Sequence, residues 1–325
     1  MNEPDTILEA RDVTVHFAGR KRLFGAQSRP VQAVNGVDLK IGKAETIALV
    51  GESGCGKSTL SNALCGLLKP TNGSIRLMGQ EVVGASPSAL RALRRNVQMV
   101  FQDPALSLDP RATVGATIGE PLAVHGLFRG AALKQRVAQL LQEVGLRPEH
   151  ARRYPHQFSG GQRQRIVIAR ALALEPALVI CDEPVSALDV SVRAQILNLL
   201  VALQKRMGVS YLFVSHDLSV VRHICDRVLV MYLGRIVEDA ERETFFAHPK
   251  HPYAKALISA VPEADPVVQR TRQRIVLEGE LPSPSNIPSG CPFHTRCPIA
   301  TAICTSERPL LTPRDDGALV ACHHA

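Results

Sequence analysis

The stretch GESGCGKST (51–59) concentrates the residues best suited to chemistry, at the spacing G-x-x-x-x-G-K-[ST]. Glycines at such a turn let backbone N–H groups wrap phosphate oxygens, and a helix N-terminus directly after it adds a favourable dipole. Gly51, Ser53, Gly54, Cys55 and Gly56 are the candidate cradle. Lys57 would reach the β- and γ-phosphates, Ser58 would ligate Mg²⁺, and Thr59 completes the loop. In LVICDEP (178–184), Asp182 suits Mg²⁺ coordination through water, and Glu183 suits polarising an attacking water. An Asp-Glu pair alone is usually a solvated loop end; beside a phosphate loop it becomes a candidate catalytic pair. FSGGQRQR (158–165) pairs Ser159 with Gln162 as a capping box. Gly160 and Gly161 would leave that helix start open to an anion, the plainer alternative being an ordinary capped helix. His216, before Asp217, and Gln102, in VFQDP (100–104), each end an apolar run, and Gln102 could sense Mg²⁺ or a γ-phosphate.

Short apolar runs must position these groups. TIALV (46–50) leads into Gly51, ALVIC (177–181) into Asp182, and YLFV (211–214) into Ser215 and His216. Unbroken runs of four or five apolar residues predict strands buried on both faces, hence an α/β fold with a parallel sheet. Ligands bind such sheets beyond the carboxyl ends of the strands, so three distant segments nominate one site. ALKQRVAQLLQEVGL (132–146) spaces Val137, Leu140, Leu141 and Val144 for a helix, with Gly145 as its C-cap. Residues from about 103 to 170 are expected to be mostly helical. Val13, Val15 and Phe17 alternate as one strand face, and GRKRLFGAQSRP (19–30) is expected to be an exposed basic loop. Recurrent prolines after about residue 245 mark a small, irregular second region.

The 325 residues suit one large domain and a smaller one. No run of about 18 apolar residues is present, which argues against a membrane span. The acidic start MNEPDTILEARD lacks the apolar core of a secretory signal, so a cytosolic chain is expected. The net charge of +8 suits phosphate ligands, nucleic acid or an anionic membrane. With 4% aromatic residues and no tryptophan there is little to stack bases on, and nucleic-acid binding is not expected.

Cys55, Cys65, Cys181 and Cys225 are scattered and read as small packing residues. Cys291, Cys297, Cys304 and Cys322 follow C-x5-C-x6-C-x17-C in the tail. A cytosolic chain argues against disulfides, and zinc sites usually show C-x2–4-C pairs, absent here. The irregular spacing, with Pro292 and Pro298 behind two of the cysteines, suits a [4Fe–4S] cluster better. Zinc, with His294, His323 or His324 as substitute ligands, and no metal at all are the alternatives.

Taken in order, GESGCGKST, FQDP, FSGGQ, VICDEP, SALD (186–189) and SHD (215–217) resemble the nucleotide-binding subunit of ATP-binding cassette (ABC) transporters over roughly residues 5–240. That resemblance implies a P-loop NTPase cassette over residues 1–245: a parallel core sheet with helices, an antiparallel β subdomain and a helical subdomain at about 103–170. It makes Gln102 the Q-loop residue that contacts the membrane subunit, SALD the D-loop and His216 the switch histidine. Phe17 would stack on adenine, though its strand position equally permits a core role. Ser159, Gly160, Gly161 and Gln162 would cap the ATP held by a second cassette.

HPKHPYAKALISAVPEADP (248–266) and GELPSPSNIPSGCPFHTRCPIA (279–300) look like the C-terminal region of oligopeptide and dipeptide importer ATPases, nearest their F-type subunit. Residues 246–325 would then be that region, and the family points to the same [4Fe–4S] site. The resemblance implies an ATPase at the cytoplasmic face of the membrane, driving peptide import. Its partners would be two permease subunits, a second cassette, identical or paralogous, and a solute-binding protein. The same cassette could energise nickel or glutathione import. A soluble cassette protein of ribosomes or DNA repair would usually carry two cassettes or a long coiled-coil insertion, and neither is present. A non-catalytic ATP-binder would show damage at Glu183 or His216, and both are intact.

Overall fold

A computed structural model of the chain describes residues 6–19, 29–262, 270 and 274–325. The expected basic loop falls largely on residues outside that set. The chain forms two compact units. One holds Ala85–Leu212 with short pieces at 6–7 and 42–45; the other holds Leu8–Ile41, Thr46–Gly84 and Phe213–Ala325.

In the second of these, β1 (Thr6–Phe17), β2 (Val31–Gly42), β3 (Thr46–Val50), helix α1 (Lys57–Leu64), β4 (Asn72–Leu77) and β5 (Gln80–Glu81) come first. The order β2-β1-β4-β5 makes a small sheet, with β1 antiparallel to β4 from Leu8 opposite Leu77. Leu8, Ala10, Val13 and Val15 turn inward, the last two by the alternation expected of them. Phe17 departs from it: at 42% exposure it is not a core residue. Strand β3 is buried along its whole length, as an unbroken apolar run requires.

The other unit carries α2 (Pro87–Arg94), β6 (Val97–Val100), α3 (Pro104–Ser107), α4 (Val114–Val124), α5 (Gly130–Glu143), α6 (Gly160–Leu172), β7 (Leu178–Asp182) and α7 (Val190–Met207). Helix α5 buries Val137, Leu140 and Leu141 and ends at Val144, with Gly145 in the left-handed region after it, as the spacing predicts. Strands β6 and β7 pair in parallel, from Val97 opposite Leu178 to Val100 opposite Cys181. This register aligns their carboxyl ends, so the residues just beyond, Gln102 and Glu183, leave the sheet side by side.

Strand β8 (Ser210–Ser215), buried throughout, passes from one unit to the other after Leu212. Then follow α8 (Leu218–Ile224), β9 (Arg227–Tyr232), β10 (Arg235–Glu241), α9 (Arg242–Ala247), α10 (Pro252–Ser259), β11 (Thr312–Pro313) and β12 (Leu319–Val320). β3 runs parallel to β9, β9 pairs antiparallel with β10, and β12 returns from near the chain end to pair with β10 at Glu238 and Asp239. The tail is therefore sewn into the same unit as the phosphate loop. Its core is aromatic: Tyr232, Tyr253 and Phe293 are all buried, with Phe293 5.2 Å from the Tyr232 ring and 5.5 Å from the Tyr253 ring. No helix among the described residues is long and apolar enough to cross a membrane.

Candidate functional site

β3 ends at Val50, and the chain then turns through the glycine-rich loop into α1. Gly56, the residue before α1, adopts φ 109°, and a side chain there would collide with the Ala33 carbonyl. Only glycine lets the loop close onto the strand that backs it. Lys57 is buried, its Nζ donating to the carbonyls of Gly51 at 2.7 Å and Glu52 at 2.9 Å. This holds the ammonium across the mouth of the loop. Ser53, Gly54 and Ser58 are exposed and Thr59 is half-buried, while Cys55 is buried and burial raises its thiol pKa. Cys55 is thus a neutral packing residue, and its backbone N–H donates to the Glu52 carbonyl at 3.3 Å.

In the same unit, His216 is exposed just past β8. The next residue, Asp217, takes its own N–H to Ser215 Oγ at 3.0 Å and caps α8 by accepting from Ser219 N at 3.0 Å. The histidine therefore sits on a turn locked from both sides.

In the other unit, the parallel register brings Gln102 and Glu183 together: Gln102 Nε2 donates to Glu183 Oε2 at 2.9 Å. Asp182, last residue of β7, is almost fully buried. Glu183 is held at φ 47°, an uncommon conformation for a side-chain-bearing residue, and its carbonyl accepts from Ser186 Oγ at 3.0 Å. The strained turn aims the carboxylate beyond the sheet edge. The capping box forms as its residue types require, with Gln162 N donating to Ser159 Oγ at 3.3 Å and Ser159 N to Gln162 Oε1 at 3.1 Å. Ser159 and Gly160 are exposed, whereas Gly161 is buried where a side chain would run into Val192 of α7. One glycine leaves the helix start open; the other lets α6 approach α7.

The tail corrects an expectation. Among the described residues, which include Cys291, Cys297, Cys304 and Cys322, no group of three or more His, Cys, Asp or Glu is arranged to hold a metal ion. Neither a [4Fe–4S] cluster nor zinc is supported. The reason is packing. Cys304 is buried, and Cys291, Cys297 and Cys322 pack against the apolar cluster around Phe293. Burial pushes the Cys291 thiol up to about 11 and raises Cys297 as well, so both remain neutral. Cys304 Sγ lies 3.5 Å from His324 Nε2, and Cys322 Sγ accepts from His324 N. The other histidines are committed too: His294 Nδ1 lies 2.9 Å from the Cys291 carbonyl oxygen, and His323 Nε2 lies 3.0 Å from that of Glu307. Aromatic packing and the β10–β12 pairing supply the cohesion that a metal would otherwise provide.

Three site contacts lie outside the motifs. Glu52 N donates to Tyr253 Oη at 2.7 Å, and the Glu52 carboxylate accepts two bonds from Arg296. Partners two hundred residues and more away have no signature in sequence spacing.

Residues 34–186 match a family described as ABC transporter, and residues 237–304 match one described as the oligopeptide/dipeptide transporter C-terminal region. The chain is 51% identical over 320 residues to an oligopeptide transport ATP-binding protein of Bacillus subtilis, covering 98% of this chain and 97% of that one. It is 50% identical over 321 residues to a di/tripeptide transport ATP-binding protein of Pseudomonas aeruginosa, covering 99% and 98%. It is 52% identical over 308 residues to an oligopeptide transport ATP-binding protein of Escherichia coli, covering 94% and 92%. Among solved structures, the dimeric post-hydrolysis state of the ATP-binding cassette MJ0796 bound to ADP and Pi aligns at TM-score 0.63 and 29% identity, over 72% of this chain and 98% of that one. CbiO1 of Clostridium perfringens, part of an ABC transporter complex, aligns at TM-score 0.64 and 31% identity, over 75% and 92%.

Proposed function

Because this chain belongs to the ABC transporter family, in the branch that joins an ATP-binding cassette to an oligopeptide/dipeptide transporter C-terminal region, we propose that it is the ATP-hydrolysing subunit of a peptide importer. The observation that carries the reading is its near-full-length likeness to ATP-binding proteins of both oligopeptide and di/tripeptide transport. The tail match speaks against a soluble, non-transport cassette.

In this reading the amides of Gly51, Ser53, Gly54, Cys55 and Gly56 cradle the phosphates, Lys57 reaches the β- and γ-phosphates, and Thr59 adds a hydroxyl. Phe17, part-exposed at the end of β1, stacks on adenine. Gln102 spends its Nε2 on Glu183, and its amide oxygen, the Ser58 hydroxyl and the Asp182 carboxylate are the oxygen donors that would hold Mg²⁺. Oxygen donors suit that ion, which would supply neutralisation of phosphate charge. Glu183, oriented by Gln102, polarises the water that attacks the γ-phosphorus, and His216 contacts the γ-phosphate. Ser159, Gly160, Gly161 and Gln162 cap the nucleotide of a second cassette, identical or paralogous. Two ATP then close the pair, and hydrolysis opens it by replacing shared γ-phosphates with repelling products. The chain works at the cytoplasmic face of the membrane, against two permease subunits supplied by a solute-binding protein.

Glu183→Gln tests the chemistry. ATPase activity of the assembled transporter, with the equivalent change in any paralogous partner cassette, is expected to fall by about a hundredfold or more, while ATP-dependent dimerisation persists. Wild-type turnover would remove Glu183 from its role. Uptake of a labelled tripeptide into proteoliposomes tests the cargo, and an ATPase-active complex that takes up no di- or oligopeptide would refute peptide import.

A further inference from the structure

Glu52, second residue of the phosphate loop, is anchored at three points. Its N–H donates to Tyr253 Oη at 2.7 Å, its carbonyl accepts from Lys57 Nζ at 2.9 Å, and its carboxylate accepts from Arg296 Nη1 at 2.8 Å and Nη2 at 3.2 Å. Two of the three anchors come from the C-terminal region. Tyr253 is fully buried among Tyr232 and Phe293, and the Arg296 side chain is only 8% exposed. Arg296 lies in the short turn His294–Arg296, inside the cysteine-bearing stretch, and directly follows Phe293 in the aromatic core by that turn. The Glu52 carboxylate holds the Arg296 guanidinium above its usual pKa, so the arginine keeps its charge.

A carboxylate in a loop that gathers polyphosphate works against binding unless its charge is cancelled and its position fixed. A planar guanidinium meeting a carboxylate with two parallel bonds does both, which an ammonium cannot. We propose that Arg296 is a positioning residue for nucleotide binding: from the C-terminal region it neutralises and pins Glu52, so that the phosphate loop keeps the shape that receives ATP. This rests on the nucleotide reading of residues 51–59. It gives the tail a direct, in-chain part in the ATP site, with the cysteines serving to pack the segment that presents the arginine.

The test titrates the full-length chain with trinitrophenyl-ATP and Mg²⁺, and records melting alongside. Arg296→Ala is expected to weaken binding about tenfold or more, and Arg296→Lys, which keeps the charge but loses the bidentate geometry, to fall between it and wild type. In a Glu52→Gln background the effect of Arg296→Ala should shrink to about twofold, the mark of two residues acting as one unit. In the assembled transporter, Arg296→Lys should raise KM for ATP with little change in kcat. Should Arg296→Ala fail to fold, Arg296→Lys carries the same test. Wild-type affinity in a folded Arg296 variant would overturn the proposal, as would an equal loss with or without Glu52. A wild-type chain that binds no ATP analogue would instead remove the nucleotide reading itself.

Discussion

Gly56→Ala and Gly54→Ala make a matched pair of perturbations in one loop. Both glycines sit at positive φ, 109° and 79°, where an alanine costs roughly 1–2 kcal/mol. They differ in surroundings. A methyl at Gly54 meets nothing within 4 Å, whereas one at Gly56 would collide with the Ala33 carbonyl and stand 3.1 Å from Met231 Cε. The carbonyl is backbone of β2 and cannot swing aside, so the loop must move, adding about 1–3 kcal/mol of overpacking. The expected cost is therefore about 1–2 kcal/mol at Gly54 and about 2–5 kcal/mol at Gly56. If the strain falls on the ATP-receiving shape, that is about 5- to 30-fold in affinity for the first and from about 30-fold to several thousandfold for the second. Equilibrium titration of the full-length chain with a fluorescent ATP analogue reads the difference, with melting as control. Equal losses in affinity and in melting temperature would refute the reasoning, because the two sites share backbone strain and differ in the collision.

Phe293→Ala removes the ring shared by Tyr232, Tyr253 and His251 and should cost about 3–5 kcal/mol; chemical denaturation checks this, and a loss below about 1 kcal/mol would deny it a central place. His251 has its pKa pushed down to about 3, first by burial and then by Lys255, and its ring accepts from Tyr253 N. The unfolded chain therefore takes up a proton that the folded one refuses, and stability should fall as pH drops from about 6.5 towards 3, by up to about 1.4 kcal/mol per pH unit. Glu238, whose pKa is raised by burial, works in the opposite sense, losing stability as pH rises through its folded pKa. His251→Asn keeps an acceptor for the cap and removes the titration, so it should flatten the acid limb in pH-dependent melting; an unchanged limb would clear His251.

Strands β3, β7 and β8 were legible because a run buried on both faces needs no polar residue, and composition records that directly. Helix α5 and the Ser159–Gln162 capping box were legible because both are local: their partners lie three or four residues away. The Gln102–Glu183 bond was half legible, since each residue follows a strand but the register that joins them is a tertiary fact. β12 was beyond pattern, two residues being too few for any period to appear. The cysteines misled because spacing along the chain says nothing about whether sulfur lone pairs converge, and in the fold they pack beside Phe293, where burial raises the Cys291 and Cys297 thiols. Phe17 was ambiguous until exposure removed it from the core, since a strand face can turn to solvent at its last residue.

The pairing of β12 with β10 has a consequence for biosynthesis. Leu319 and Val320 are synthesised about eighty residues after the strand whose edge they cover. Throughout that interval β10 offers open N–H and C=O groups to any extended chain nearby, the kind of edge that seeds mispairing. The hazard ends only when β12 has emerged and paired, and a nascent chain stalled before Leu319 would carry it indefinitely. Quality control acting on such stalled chains would meet a cassette whose sheet is still open on one side.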